Sequence, residues 1–387
     1  MGRQSRSPIV LWGMRVALSV GSLAVACLLV EAASRFCYWI GYIPVTIPYS
    51  APDRAWREQW VVRHRESGIV ATYGYDQYDP RLGWSLRPNL RDYQFDNQPG
   101  VTSNSRGMRD EREFAYDKPP AVRRIVVLGD SFTFGQEAEQ RYIWPARLQA
   151  RLAADWEVLN MAVHGYGTDQ QLLMLQQEGV RYHPDVAVVA VFVENVYRNG
   201  LAFRDYAKPL FVLREDKLVV TNVPVPTPEQ IMNDARGARP WSYALHFLTR
   251  RWGRTYGSDT LDPAQLDSYL LRLTRAILQE MLATTERCEA RLLVTVIPFD
   301  EFPPSRNIER SMAEWAGQSG VAFLNLRDPL ERAEKETGEP MFHHHFTRAG
   351  HEVSASSVYQ KLHELGWLGL GAIESFKGAS DRDTRPR

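Results

Sequence analysis

Arg123-Arg124-Ile125-Val126-Val127-Leu128-Gly129-Asp130-Ser131-Phe132-Thr133-Phe134-Gly135 is the stretch whose reading decides the fold. An aliphatic run feeds directly into Gly-Asp-Ser, and a helical pattern resumes around Ile143 to Leu152. That order predicts a buried parallel strand, a tight turn and a helix N-terminus. A serine in such a turn carries its hydroxyl at the carboxyl edge of a sheet, where open α/β folds bind ligands. A structural turn serine fits a bare Gly-Asp-Ser as well as a nucleophile does, so the choice rests on what surrounds it.

Downstream the rhythm is βα throughout. A helix is expected near 141–154, a short strand over Trp156–Asn160, and a helix around Leu172, Leu173 and Leu175. Val186 to Val193 is aliphatic throughout, which marks a central strand buried on both faces. After an irregular stretch the pattern returns with a helix over 263–287, a strand Leu292–Ile297, a helix over 308–318, a strand Val321–Leu324 and a last helix over 348–364. Strands alternating with helices predict a parallel sheet covered on both faces. The interruption, residues 200–262, contains a hairpin pattern (Leu210–Leu213 and Leu218–Val220) and then Pro224, Pro226 and Pro228. An insertion of that length beside a sheet edge is a candidate lid or substrate wall.

Upstream, no acidic residue precedes Glu31, Arg3 and Arg6 lie ahead of an apolar stretch from Ile9, and Val16 to Val30 is unbroken. The stretch is long enough to span a bilayer, and the basic leader places the N-terminus in the cytoplasm. A cleaved secretory signal is the rival reading, since Ala24-Val25-Ala26 fits a small-residue cleavage site. The apolar run continues through Leu28, Leu29 and Val30, which favours an uncleaved anchor. The expected organisation is therefore a leader and transmembrane anchor (1–43), a juxtamembrane segment packing on the main domain (44–122), the main domain (123–367, with the insertion 200–262) and a flexible tail (368–387). The juxtamembrane segment is aromatic for a linker and holds two local patterns, Gly83–Asn89 and Asn104–Asp110.

Composition excludes some classes. Lys+Arg and Asp+Glu both total 46, so no basic excess points to nucleic acid. Cys27, Cys37 and Cys288 form neither a disulfide framework nor a zinc spacing.

Four short motifs fall at the carboxyl ends of the expected strands or in the loops beyond them: Gly129-Asp130-Ser131, Asn160 to Gly167, Val193-Glu194-Asn195, and His345 to His351. Together they hold the parts of an acyl-transfer site. Ser131 can attack a carbonyl once a base takes its proton, and His345 is the available base. The oxyanion needs preorganised donors, which the backbone N–H groups of Ser131 and Gly165 and the Asn195 amide could supply. Gly167 is an alternative to Gly165. His343-His344-His345 also admits a metal-site reading, but adjacent histidines rarely coordinate one ion.

With these four blocks in this order, the chain resembles the SGNH (GDSL-like) hydrolase superfamily, and most of all its membrane-anchored bacterial branch. The resemblance covers roughly residues 100–365. It implies a flavodoxin-like three-layer α/β/α sandwich, with Ser131 as nucleophile and first oxyanion donor, Gly165 as second donor, Asn195 as third and His345 as base. It further implies ester hydrolysis through an acyl-enzyme without metal or organic cofactor. The expected substrate is an O-acylated carbohydrate or small ester, in a domain held at the membrane by the N-terminal helix and facing the periplasm. Transfer to a glycan hydroxyl and a degenerate binding module are the alternatives. Two departures stand out. The family aspartate two or three residues before the histidine is replaced by His343 and Phe342, and the Asn block reads Asn195-Val196. A Ser–His dyad, or a carboxylate from Asp300, Glu301 or Asp328, would then complete the site.

Overall fold

The computed structural model describes residues 8–39, 53–67, 70–71, 74–95, 98–237, 241–245, 248, 263–302 and 304–369. The leader before residue 8, residues 40–43 of the expected anchor, 249–262 of the insertion and 370–387 of the expected tail lie outside them. Two compact units emerge: Met1–Gly68 with Glu229–Thr260, and Ile69–Pro228 with Leu261–Arg387.

The second unit is built on five parallel strands. In chain order the sheet strands are Arg123–Leu128, Trp156–Asn160, Val186–Phe192, Arg291–Ile297 and Ala322–Asn325. Calling them β1 to β5, their order across the sheet is 2-1-3-4-5. This is the flavodoxin-like doubly wound order, whose reversal of direction lies between β1 and β3. β3 is buried at every position, as its unbroken Val/Ala/Phe run requires of a strand covered on both faces. The helices Thr168–Gln177, Pro263–Arg287, Ser305–Ser319 and Arg348–Glu364 alternate with the strands. The expected three-layer α/β/α architecture is the one observed.

Local differences have local causes. The helix expected over 141–154 is confined to Trp144–Gln149, with a separate turn of 3-10 helix at Gln140–Tyr142. Pro145 sits in its first turn, the one place a helix tolerates proline, and so fixes its start. A helix over Arg327–Thr337, outside the expected pattern, carries few apolar residues, and Leu330 is its one buried hydrophobic side chain. Part of the juxtamembrane segment is ordered as an antiparallel pair, Asp76–Asp79 with Gly83–Leu86. This pair lies in the second unit with the sheet. The indole of Trp84 donates to the His164 carbonyl (3.0 Å), the Tyr166 hydroxyl donates to the Trp84 carbonyl (2.6 Å), and His164 pairs with Asp76. The Gly83–Asn89 pattern thus backs the loop that follows β2.

The first unit holds a helix Pro8–Trp39 and a helix Asp53–Ser67. Trp12–Trp39 is long and apolar enough to cross a bilayer. The insertion divides: its hairpin, Leu210–Arg214 with Lys217–Thr221, belongs to the second unit, whereas Glu229–Thr260 groups with the N-terminal helices.

Candidate active site

The turn after β1 carries the candidate nucleophile, Ser131. Asp130 caps a one-turn helix, Ser131–Phe134, by accepting the Phe132 N–H through its side chain (3.1 Å). Gly135 ends that turn at φ 90°, in the left-handed region, and a Cβ there would lie 2.1 Å from Ile143 Cγ2. Ser131 is thereby presented at the carboxyl edge of the sheet, at its switch point. Arg109, from the Asn104–Asp110 pattern, donates to the carbonyls of Phe134 (2.9 Å), Gly135 (2.6 Å) and Ala138 (2.7 Å) and so pins the loop that follows.

His345 comes from the turn before the last helix. Thr347 caps that helix by accepting the Gly350 N–H (3.1 Å), and the turn is closed by bonds from His343 N–H to the His345 carbonyl and from Thr347 N–H to the Met341 carbonyl. The imidazole Nε2 lies 3.0 Å from Ser131 Oγ, and the ring packs against Phe132. Burial lowers the His345 pKa from its ordinary value, against the opposing pull of Glu137. The ring is therefore neutral, and able to accept a proton, at pH 7.

The oxyanion groups fall on either side. Among the described residues the N–H groups of Ser131 and Gly165 make no hydrogen bond. The Gly167 N–H, the alternative donor, is taken by Gln170 Oε1 (3.1 Å). Gly165 has φ 76°, and a Cβ would stand 2.2 Å from Asp205 Oδ2, so only glycine fits. Asn195 is fully buried, yet neither Oδ1 nor Nδ2 has a partner. Buried amides are normally bonded, so an unused one at the end of β3, the strand next to β1, makes Asn195 a candidate donor.

Arg198, one helical turn beyond Asn195, joins the three loops. Its Nη1 lies 3.2 Å from Asp130 Oδ2 and 3.3 Å from the Tyr166 carbonyl, and its Nε lies 3.1 Å from Glu194 Oε1. Arg204 makes a second bond to Glu194 (3.0 Å) and pairs with Asp205. Burial raises the Asp130 carboxyl to about 6 even with Arg198 beside it. Asp130 and Glu194 thus serve the frame of the site.

None of the three carboxylates expected for His345 contacts it among the described residues. Asp300 is exposed and bonded to Arg327 (2.8 Å). Glu301 is exposed in the turn after β4, and Asp328 lies in the first turn of the Arg327–Thr337 helix. The carboxylate at the imidazole is that of Glu137, whose Oε1 stands 3.2 Å from Nδ1, at ion-pair distance but without the alignment of a hydrogen bond. Glu137 has φ 66°, a conformation uncommon outside glycine and worth attention near a site. It lies six residues after the nucleophile, where neither periodicity nor a motif points to it. His343 and His344 are exposed, and His351 is buried, its Nδ1 accepting the Trp144 N–H (3.3 Å). Among the described residues no group of three His, Cys, Asp or Glu side chains could hold a metal ion.

The profile of the GDSL-like lipase/acylhydrolase family matches residues 127–353, and the chain belongs to that family of ester-bond hydrolases. Solved structures similar to it include TesA, 17% identical with a TM-score of 0.38, over 63% of this chain and 99% of that one. A catalytic mutant of the acetylxylan esterase Axe2 from Geobacillus stearothermophilus is 13% identical with a TM-score of 0.39, over 67% and 100%. A GDSL-like lipase from Bacteroides thetaiotaomicron is 14% identical with a TM-score of 0.37, over 63% and 89%. No curated protein matches the chain.

Proposed function

We propose that Ser131, His345, Gly165 and Asn195 carry out ester hydrolysis through an acyl-enzyme, with Glu137 as the carboxylate that orients His345. The observation that carries this reading is the 3.0 Å approach of His345 Nε2 to Ser131 Oγ beside a buried, unpartnered Asn195 amide. Ser131 Oγ attacks the acyl carbon as its proton passes to Nε2. The carbonyl oxygen becomes an oxyanion held by the N–H groups of Ser131 and Gly165 and by Asn195 Nδ2. The tetrahedral adduct collapses, the C–O bond of the ester breaks, and the imidazolium returns its proton to the departing alcohol. Water then attacks the acyl-enzyme, His345 takes its proton, and the carboxylic acid leaves with Ser131 restored. The Glu137 carboxylate offsets the imidazolium charge formed in each half-reaction.

The substrate in this reading is an O-acyl ester of a cell-envelope carbohydrate or lipid, and the Trp12–Trp39 helix anchors the enzyme with its catalytic unit outside the cytoplasm. The anchor is supported by the length and apolarity of that helix. A cavity of about 200 Å³ lies beside the histidine turn, lined among others by Phe299, Leu330, Phe342, Asp300, Glu301 and His343; none of Ser131, Gly165, Asn195 or His345 lines it. Release of acetate from O-acetylated glycan by the full chain, abolished in Ser131→Ala, tests the reading. Equal release by that variant would end it.

A further inference from the structure

The apolar helix Pro8–Trp39 carries an acidic residue, Glu31, followed one turn later by Arg35. Both are used by one short segment of the insertion, residues 241–245. The Glu31 carboxylate accepts the Ser242 hydroxyl (2.8 Å) and the backbone N–H groups of Tyr243 (3.0 Å) and Ala244 (2.9 Å). Arg35 bonds Glu31 (2.7 Å) and donates to the Trp241 carbonyl (3.0 Å). Tyr243 packs on Tyr38 and lies under the Arg35 guanidinium. Ser242 Oγ also accepts the Leu245 N–H (3.2 Å), so a helical turn begins here with its first N–H groups satisfied.

The same segment turns large apolar groups outward. Trp241 is 84% exposed, Leu245 46% and Leu248 57%, beside a helix whose own apolar side chains are exposed from Ile9 to Trp39. Trp12 and Trp39 stand about 40 Å apart at about 1.5 Å per residue, the span of a bilayer with its interfaces. A hydrocarbon layer of about 30 Å centred between them places Glu31 roughly 7 Å inside its edge. At that depth an unpaired carboxylate and open backbone N–H groups are both costly, and each removes the cost of the other.

The geometry points to residues 241–245, with Leu248, as a membrane-inserted wedge, clamped to the transmembrane helix by Glu31 and Arg35 and facing lipid through Trp241, Leu245 and Leu248. This segment is then a second point of bilayer contact. Its tyrosine packs on Tyr38 at the Trp39 end of the helix, where aromatic side chains favour the membrane interface. The inference rests on the anchoring half of the proposed function and is independent of the ester chemistry.

The test uses the full chain in lipid nanodiscs whose acyl chains carry a doxyl quencher. One variant keeps Cys27 as its single cysteine, and a second carries Leu245→Cys with Cys27, Cys37 and Cys288 replaced by alanine. Each is labelled with the same environment-sensitive fluorophore. Quenching at both positions is expected, with Glu31→Gln reducing it at least twofold at position 245 while that at Cys27 persists. Quenching at Cys27 with none at 245 overturns the wedge and leaves the anchor standing. No quenching at either overturns both, and ester turnover of the same samples reports the catalytic reading separately. Unchanged quenching at 245 in Glu31→Gln overturns the clamp.

Discussion

His345 Nδ1 stands 3.2 Å from Glu137 Oε1, while Nε2 of the same ring stands 3.0 Å from Ser131 Oγ. The proposed nucleophile and its proposed orienting carboxylate therefore lie on one loop, six residues apart, and His345 approaches both. The aspartate missing ahead of His345 is replaced in space by a residue whose position is set by Arg109, through the carbonyls of Phe134, Gly135 and Ala138.

Glu137→Gln is expected to lower kcat/KM roughly 100-fold, the lower end of the range for general acid–base groups, because the carboxylate is part-exposed. Asp300→Asn and Asp328→Asn should leave kcat/KM nearly unchanged. Steady-state kinetics on a soluble ester checks all three. An unaffected Glu137→Gln would remove Glu137 from the orienting role.

The pH profile provides a second reading of the same pair. Neutral His345 is the active form, so kcat/KM falls as pH drops through its pKa, which burial sets below the ordinary 6.5. Glu137 favours the charged ring and holds that pKa up. The acid limb should therefore lie below pH 6.5 and move to still lower pH in Glu137→Gln. A limb that stays in place would show that the carboxylate does not act on the ring.

Asn195→Ala should lower kcat by roughly 10²-fold, the scale of one oxyanion donor. Because its amide has no partner in the fold, the melting temperature should hardly change. A large loss of stability with little loss of rate would reverse the assignment and make Asn195 structural.

Arg198→Met should unfold the site. It leaves Asp130 buried without its cation while Glu194 keeps Arg204, a loss of about 3–5 kcal/mol when a buried pair is broken on one side. Denaturant titration measures it, and a loss under about 1 kcal/mol would show that the three loops do not depend on Arg198.

The sheet could be read from sequence because β1, β3 and β4 are short aliphatic runs, such as Val126-Val127-Leu128 or Val186 to Phe192, and the first three strands run into motifs that periodicity does not explain. Ser131, Gly165, Asn195 and His345 were legible for the same reason: each sits where a strand or turn stops. Glu137 was not, because it depends on a positive-φ turn and on Arg109 arriving from another segment. Asp300 and Asp328 were attractive only by their nearness to strand ends; the fold commits Asp300 to Arg327 instead. Arg198 was hidden inside a helical turn, and its role appears only when the loops after β1, β2 and β3 lie side by side. In sequence the insertion 200–262 is a candidate lid or substrate wall, and its division between two units reflects long-range packing that no local pattern encodes.

The most direct measurement is labelling of the full chain with a fluorophosphonate serine probe, with the adduct located by mass spectrometry. An activated Ser131 should carry the phosphonyl group, and both Ser131→Ala and His345→Ala should lose it while keeping the parent's melting temperature. A well-folded parent that takes no label at Ser131 would contradict the hydrolase mechanism and leave the fold as a binding module.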